Sequence, residues 1–477
     1  MNPQPPPPLV VDLDGTLLRT DLFHESALRL IKQKPWTALL MPFWLLGGRA
    51  QLKRRIASQV RLDYRTLPFR DDLVEWLRGR KAEGRRLVLA TAADQKLAEQ
   101  TVAPWGLFDT VLGSDGKRNL EGRAKARALA DAYGEFDYVG NSRVDLPVWQ
   151  ACREAIVVNA GASVEAAARR RARVIRVFPP PPGRWKELGR GLRLYQWVKN
   201  VLVFVPAVTS HTVFQGPILW KLAGAFVAFG MCASGVYVAN DLLDLEEDRR
   251  HESKKNRPFA SGRCSIPAGV FTAAVFLLAG LAVAVALGGG LALLLLFYIC
   301  LASTYSLYLK RTLVLDVLTL AILHTVRIVA GDVVTGIPLS VWLAAFAFFL
   351  FLSLAFSKRA AELARLGQNG GGTVPGRDYS VGDLPVVTTA GIASGFLSAL
   401  VMALYINSDN VRLLYRRPAW LWGVVPLVLY YIVRMWVICG RGQLDDDPLI
   451  YTAKSPSTYY VAAFVAIIVI GATGNWF

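Results

Sequence analysis

Three aspartates, Asp241, Asp244 and Asp248, stand at i, i+3 and i+7 in the stretch VYVANDLLDLEEDRRHESKKNRPFASG. On a helix that spacing gathers their carboxylates on one face, with Asn240 adjoining and Glu246 turned away. The stretch ends a long apolar run, and three like charges at the end of a membrane helix are costly unless a cation lies among them. Mg²⁺ is the expected ion, because it is held by carboxylates, keeps several waters and bridges to phosphate oxygens. A solvated acidic helix end is the plain alternative, and the basic residues that follow weigh against it. Arg249, Lys254, Lys255 and Arg257 can grip a diphosphate and disperse the charge that develops as it leaves.

A second carboxylate pair opens the chain. LVVDLDGTLL places Asp12 and Asp14 at the carboxyl end of a strand, and residues two apart in an extended segment project to the same side. One carboxylate can attack phosphorus while the other handles the leaving-group proton, given a cation to relieve the crowding. Further along, Asp316, His324 and Arg327 fall in one helical sector, where two readings stay open. They line a polar cavity in a bundle, or Asp316 and Arg327 form a structural ion pair with His324 as a packed core residue. In LAFSKRAAELARLG, Lys358, Glu362 and Arg365 share a helix face with Arg359 beside them, a mainly basic patch suited to an anionic phosphate. The DDDP turn, Asp445 to Pro448, is a lid contact or a solvated acidic turn.

These residues need two different scaffolds. Residues 9 to about 176 alternate short apolar strands (LVVDLD, RRLVLAT, FDTVLGS, FDYVG, AIVVN) with helical stretches, which predicts an α/β sheet. A helical cap around 21–76 interrupts the first two strands. It contains PWTALLMPFWLLGG, too short to span a bilayer and able either to dip into a lipid interface or to pack on the domain's own core. FPPPPG begins a stiff linker and interfacial segment, residues 178–190, that separates a first domain, 1–177, from a membrane domain, 191–477.

In the second half, runs such as FTAAVFLLAGLAVAVALGGGLALLLLFYICLAS exceed the roughly 20 apolar residues that cross a bilayer. About nine spans are predicted, near 197–213, 217–239, 268–286, 289–306, 313–331, 340–357, 387–406, 418–438 and 457–475. The opening segment lacks the basic and apolar regions of a cleavable signal, so the N-terminal domain is expected in the cytoplasm. Loops 240–266, 307–312, 358–386 and 440–456 then face the same side and carry most of the loop Lys and Arg, while Arg412, Arg416 and Arg417 run against the rule. A net charge of +18 comes without any nucleic-acid module, so anionic lipid and phosphate-bearing substrates are the expected partners. Cys152, Cys232, Cys264, Cys300 and Cys439 show no C-x-x-C spacing, and neither a metal site nor a disulfide framework is expected of them.

The first domain resembles the haloacid dehalogenase (HAD) superfamily over about the first 170 residues, on D-x-D-G-T and the elements that follow it in order. The resemblance implies a Rossmannoid fold, Asp12 as nucleophile forming an aspartyl phosphate, and Asp14 as acid and base. It also implies Thr91, ending LVLAT, as the phosphate-binding hydroxyl, and Lys125 as the lysine that stabilises nucleophile and phosphoryl group, with Lys117 as its rival. In YVGNSRVD, Asp145 matches a Mg²⁺ ligand, whereas Asn141 stands where the family usually has an acid; its amide oxygen can still ligate the ion with less charge.

The motif N-D-x-x-D-x-x-x-D-R, followed by N-R-P-x-A-S-G, resembles the first signature of the UbiA prenyltransferases, and the likeness runs from about Leu192 to the C-terminus. It implies an all-α polytopic bundle using Mg²⁺ at Asp241, Asp244 and Asp248. Where aromatic prenyltransferases of the family carry a second aspartate cluster, this chain has Lys358, Arg359 and Glu362. S-K-R-x-A-E-L, together with Tyr305 and Lys310 of YSLYLK, is similar to the decaprenyl-phosphate phosphoribosyltransferase branch. That likeness implies phosphoribosyl pyrophosphate as donor and a polyprenyl phosphate as acceptor; the sector holding Arg327 is expected, on its ionisable residues alone, to line the substrate cavity. The product would carry a 5-phosphate, a phosphomonoester of the kind a HAD-like domain hydrolyses, so the fused chain is expected to make polyprenyl-phosphoryl ribose in two steps for cell-envelope synthesis, on the cytoplasmic face of a bacterial plasma membrane. The alternative is a prenyltransferase moving an isoprenyl group from its diphosphate to an aromatic or other small acceptor, beside a HAD domain of separate or binding-only role. A transporter or scaffold is disfavoured because no inverted repeat is evident.

Overall fold

Leu9–Val11 is short, apolar and fully buried, and forms the interior strand β1 of a six-stranded parallel sheet. The others are β2 (Leu87–Asp94), β3 (Thr110–Ser114), β4 (Asp137–Gly140), β5 (Glu154–Val158) and β6 (Arg173–Phe178), in the order β3–β2–β1–β4–β5–β6. Val10 lies opposite Val88 on one side and Tyr138 on the other. The unbroken apolar runs of the inner strands suit a sheet covered on both faces. Leu13, Leu73, Leu77 and Leu97 pack on one face, and Leu129, Phe136 and Trp149 on the other. Beyond the five expected strands stands β6, whose RVIRVF is half exposed at the sheet edge. After β3 the chain crosses to the far side of β1, so the winding reverses beside Asp12, where α/β sheets bind ligands.

This computed structural model describes residues 6–181, 183–368, 370–374, 376–444 and 448–473. Of the DDDP turn, Asp445, Asp446 and Asp447 lie outside the described residues. The chain divides into two compact units, Met1–Leu192 with Tyr237–Thr272, and Arg193–Val236 with Ala273–Phe477. The first unit runs past the expected linker at 178–190 and also takes in the acidic motif.

Between β1 and β2 come α1 (Leu22–Gln33), α2 (Thr37–Leu45), α3 (Arg49–Ala57) and α4 (Asp71–Ala82). Asp21 caps α1, its Oδ1 accepting from Phe23 N at 2.8 Å and His24 N at 3.2 Å. Leu30, Leu52, Ile56 and Val60 join α1 to α3, with Met41 and Trp44 of α2 against them. The rest of the α2 turn is not folded onto the domain: Leu39 is 74% exposed, Phe43 69% and Leu46 86%. The helix Gly216–Leu243 ends where Asp244 leaves helical geometry (φ −100°, ψ 15°), and a short helix, Leu245–Arg250, follows. The three aspartates therefore do not share one unbroken helix, which corrects the single-face arrangement that their spacing predicts.

Among the described residues, eight helices are long and apolar enough to cross a membrane: Gly216–Leu243, Ile266–Leu287, Gly289–Leu307, Leu315–Thr335, Val341–Gln368, Val381–Ile406, Pro418–Gly440 and Pro456–Thr473. The first stretch expected to span, 197–213, instead forms an eleven-residue 3₁₀ run, Leu194–Phe204, and a five-residue α-helix, Val205–Thr209. In the second unit, small residues let helices approach. Ser353 Oγ donates to the Gly391 carbonyl at 2.7 Å and accepts from Trp436 Nε1 at 3.0 Å.

Candidate active sites

The carboxyl end of β1 carries the first site. Asp12 Oδ1 accepts from Lys125 Nζ at 2.7 Å, and its Oδ2 from Thr16 Oγ1 at 3.2 Å. Lys125 projects from α6 (Gly122–Tyr133; α5, Gln95–Val102, precedes it), while Lys117 is exposed, so Lys125 is the lysine that meets Asp12. Gly15 has φ +71°, and a Cβ there would come within 2.1 Å of Asn141 Nδ2, so the turn requires glycine. Asp14 Oδ1 accepts from Leu22 N at 2.8 Å, and Thr91, fully buried in β2, has its Oγ1 3.4 Å from Asp14 Oδ2. Burial, opposed by the Lys125 ammonium and reinforced by Asp145, pushes the Asp12 carboxyl up to about 6. Burial, reinforced by the charges of Asp21 and Asp12, raises Asp14 well above the usual carboxylate range.

Asp145 takes a supporting position. Its Oδ1 accepts from Tyr138 Oη at 2.8 Å, and its Oδ2 accepts from Asn141 N, Ser142 N and Ser142 Oγ at 3.0–3.1 Å. The motifs do not point to Tyr138, whose hydroxyl also accepts from Lys125 Nζ at 3.1 Å; the available signal is a phenol in the buried strand β4. Nor do they point to Lys53 of α3, whose Nζ donates to the Ala92 carbonyl at 2.8 Å beside the end of β2.

At the acidic motif, Asp241 Oδ1 and Asp248 Oδ2 converge on one atom, Arg257 Nη1, at 3.0 and 2.7 Å. Both aspartates are buried, and burial, opposed by Arg257 and reinforced by Asp241, pushes Asp248 up to about 6. Asp244 Oδ1 accepts from Lys32 Nζ at 2.8 Å. Arg249, expected at a diphosphate, gives its Nε to the Ala260 carbonyl and both Nη atoms to Glu25. Lys254 is half buried and Lys255 exposed in the short 3₁₀ turn before Arg257, and Asn240 is half buried, its carbonyl accepting from Asp244 N at 2.9 Å.

Among the described residues, no three of His, Cys, Asp and Glu gather as a metal-holding group. Each site instead offers a pair of carboxylates, Asp12 with Asp14 and Asp241 with Asp248, and burial raises the protonation of Asp12, Asp14 and Asp248, which a divalent cation would relieve. Two carboxylates plus waters and substrate phosphates suit Mg²⁺, so the donor sets fit it.

In the second unit, Asp316 is fully buried and pairs with Arg359 Nε, with Arg377 Nη1 at 3.6 Å and with Tyr379 Oη at 2.7 Å. Arg359 also pairs with Glu362, and its Nη2 lies 3.4 Å from Tyr305 Oη. Lys358, beside it on Val341–Gln368, is half buried, and the Lys310 carbonyl accepts from Arg377 Nη1 at 3.3 Å. Arg377 and Tyr379 were not anticipated, because they come from a loop with no motif of its own. Asp316 does not pair with Arg327: Arg327 binds Asn200 Oδ1 at 3.0 Å, Tyr298 Oη at 2.9 Å and the Leu323 carbonyl. His324 lies against the Phe351 ring, centroids 5.2 Å apart.

Residues 202–451 match the family model described as the UbiA prenyltransferase family, and residues 9–150 match that of the haloacid dehalogenase-like hydrolases. A Sinorhizobium fredii protein called uncharacterized protein y4nM is 36% identical over 464 residues, 96% of this chain and 90% of that one, so the fused architecture recurs. Nodulation protein NoeC of Azorhizobium caulinodans is 34% identical over 56% of this chain and 86% of its own length. Decaprenyl-phosphate phosphoribosyltransferase of Mycobacterium tuberculosis is 35% identical over 39% of this chain and 63% of its own length. With eight apolar helices the chain is an integral membrane protein. It is an enzyme that belongs to the UbiA prenyltransferase family and carries a haloacid dehalogenase-like domain at its N-terminus.

Proposed function

We propose that the membrane domain transfers 5-phosphoribose from phosphoribosyl pyrophosphate to a polyprenyl phosphate, and that the HAD-like domain then removes the 5-phosphate. The observation that carries the reading is the convergence of Asp241 and Asp248 on a single cationic atom, a geometry ready for a cation that accompanies pyrophosphate. The similarity to decaprenyl-phosphate phosphoribosyltransferases points to the donor and acceptor. Mg²⁺ held by Asp241 and Asp248 would neutralise the diphosphate oxygens. Arg257 and Lys254 bind the departing pyrophosphate, and Lys358, Lys310 and Tyr305 serve the other phosphate groups. Arg359, locked between Asp316 and Glu362, holds that cluster in place. An oxygen of the lipid phosphate attacks the ribose anomeric carbon, the bond to pyrophosphate breaks, and its electron pair leaves with pyrophosphate. The attacking phosphate is already anionic and needs no base.

In the HAD-like domain, Asp12 attacks the 5-phosphate while Asp14, whose raised pKa suits an acid, protonates the departing ribose oxygen. Water, deprotonated by Asp14, then releases phosphate from Asp12. Lys125 and Thr91 steady the phosphoryl oxygens. The exposed apolar turn around Leu39, Phe43 and Leu46 suits a lipid interface, where a lipid-linked phosphomonoester would be met. Both sites face the cytoplasm of a bacterial plasma membrane.

Mass spectrometry of the lipid made from phosphoribosyl pyrophosphate and a defined polyprenyl phosphate tests the scheme. Wild type should yield polyprenyl-phosphoryl ribose, Asp12→Asn its 5-phosphorylated precursor, and Asp241→Asn neither. Prenyl transfer from a prenyl diphosphate to a small acceptor, with no product from phosphoribosyl pyrophosphate, would overturn it.

A further inference from the structure

Helix α1 of the HAD-like domain carries Glu25, Arg29 and Lys32 at i, i+4 and i+7, a single helical face. All three meet the acidic motif within the first compact unit. Glu25 takes a two-pronged bond from Arg249, at 2.6 and 3.1 Å, with both side chains only 5–6% exposed. Arg29 Nη1 reaches Glu246 Oε2 at 2.9 Å, and Lys32 Nζ reaches Asp244 Oδ1 at 2.8 Å and Glu247 Oε1 at 2.7 Å. The partners ascend along one segment as they descend along the other, so α1 and the motif pair antiparallel with charges complementary throughout. A flanking pair, Arg250 with Asp63 at 2.9 Å, extends the seam.

The other end of α1 is fixed just as firmly. Its first amide, Leu22 N, donates to Asp14 Oδ1 at 2.8 Å, inside the phosphatase-type pocket. One helix of 12 residues, about 18 Å long, is thus held at its first amide by a carboxylate of one site and from Glu25 to Lys32 by the acidic motif of the other.

We infer that α1 couples the two sites, so that a pyrophosphate-bearing ligand at the acidic motif alters turnover in the Asp12 pocket through the ion pairs of Glu25, Arg29 and Lys32. This rests on the reading of the motif as the diphosphate site. Lys32 is the pivot. Its ammonium lies on Asp244 and Glu247, and an incoming diphosphate competes with those carboxylates for it while an accompanying cation competes with it for Asp244. Either shift displaces the last turn of α1, and a hydrogen-bonded helix carries the displacement to Leu22 and Asp14.

The test uses the full chain in detergent, hydrolysing p-nitrophenyl phosphate with and without saturating pyrophosphate and Mg²⁺. In wild type, kcat/KM should change by about fivefold, the lower end of ordinary site-to-site coupling. Lys32→Ala and Arg29→Glu should keep the basal hydrolysis and lose the response, and the swap Arg29→Glu with Glu246→Arg should recover it. An equal response in wild type and both single variants, as direct competition at Asp12 would give, overturns the inference. So does a wild type that ignores pyrophosphate. Hydrogen exchange of the α1 amides gives the second readout: pyrophosphate should alter it in wild type and not in Lys32→Ala, and no change in wild type overturns the coupling. If Asp12→Asn leaves ester hydrolysis intact, the phosphatase assignment fails by itself, and exchange at α1 still decides.

Discussion

The phenol of Tyr138 links the Lys125 ammonium to the Asp145 carboxylate in a buried site, through bonds of 3.1 and 2.8 Å. Tyr138→Phe leaves both partners one bond short without opening a cavity. The loss of one ordinary buried hydrogen bond predicts a fall of about tenfold in kcat for p-nitrophenyl phosphate, with KM little changed, measurable by steady-state kinetics. A harsher result is expected at Asp316, fully buried and neutralising Arg359 and Arg377. Asp316→Ala leaves the buried Arg359 with Glu362 as its remaining carboxylate and should cost about 3 kcal/mol, seen as loss of monodisperse protein in detergent. Arg359 and Asp316 are legible in the sequence as ionisable groups within apolar helices. Their pairing is not, because helical periodicity places Asp316 in one sector with Arg327, whereas its partners come from Val341–Gln368 and the loop of Arg377 and Tyr379.

Two kinds of element hold these residues. In the sheet, short apolar strands end in polar residues, and the five expected from the sequence all occur; β6 escapes notice because RVIRVF, an edge strand interrupted by two exposed arginines, lacks a continuous apolar run. In the membrane, helices close on glycine. A Cβ on Gly391 would lie 2.2 Å from Trp436 Cζ2 and 2.6 Å from Phe356 Cβ, so no side chain fits without parting the helices. Gly391→Leu should therefore destabilise the second unit by about 1–3 kcal/mol or more, read as a lower unfolding temperature in detergent. Hydrolysis at Asp12 should be unchanged in the same preparation at low temperature.

For the whole molecule, the orientation turns on how Leu194–Thr209 runs. Its 3₁₀ portion rises about 2.0 Å per residue against about 1.5 Å in an α-helix, so the 3₁₀ run and the five helical residues together reach about 30 Å, the thickness of a bilayer core. If this stretch crosses the membrane, it adds one crossing to the eight long helices, and the proposed topology expects Lys310 and Arg377 on the inner side. Reporter fusions or thiol labelling should place residues 213, 338 and 410 outside, and residues 310 and 372 inside. Labelling of 310 from outside would refute the arrangement. The same topology expects the arginines at 412, 416 and 417 outside, against the positive-inside bias.

Hydropathy, the D-x-D-G-T turn and the N-D-x-x-D stretch are local properties, and they by themselves determined the fused architecture and the position of each acidic pair. Side-chain partners distant along the chain needed the tertiary structure. Both Lys117 and Lys125 follow β3, yet Lys125 alone meets Asp12, because α6 buries it against Tyr138. Reading the i, i+3, i+7 spacing of Asp241, Asp244 and Asp248 as one face presumes an unbroken helix, and the helix breaks at Asp244, whose carboxylate meets Lys32, 212 residues away in sequence. Periodicity describes one element at a time. Which charge neutralises which is settled only when separate elements pack and each buried ion must find its partner.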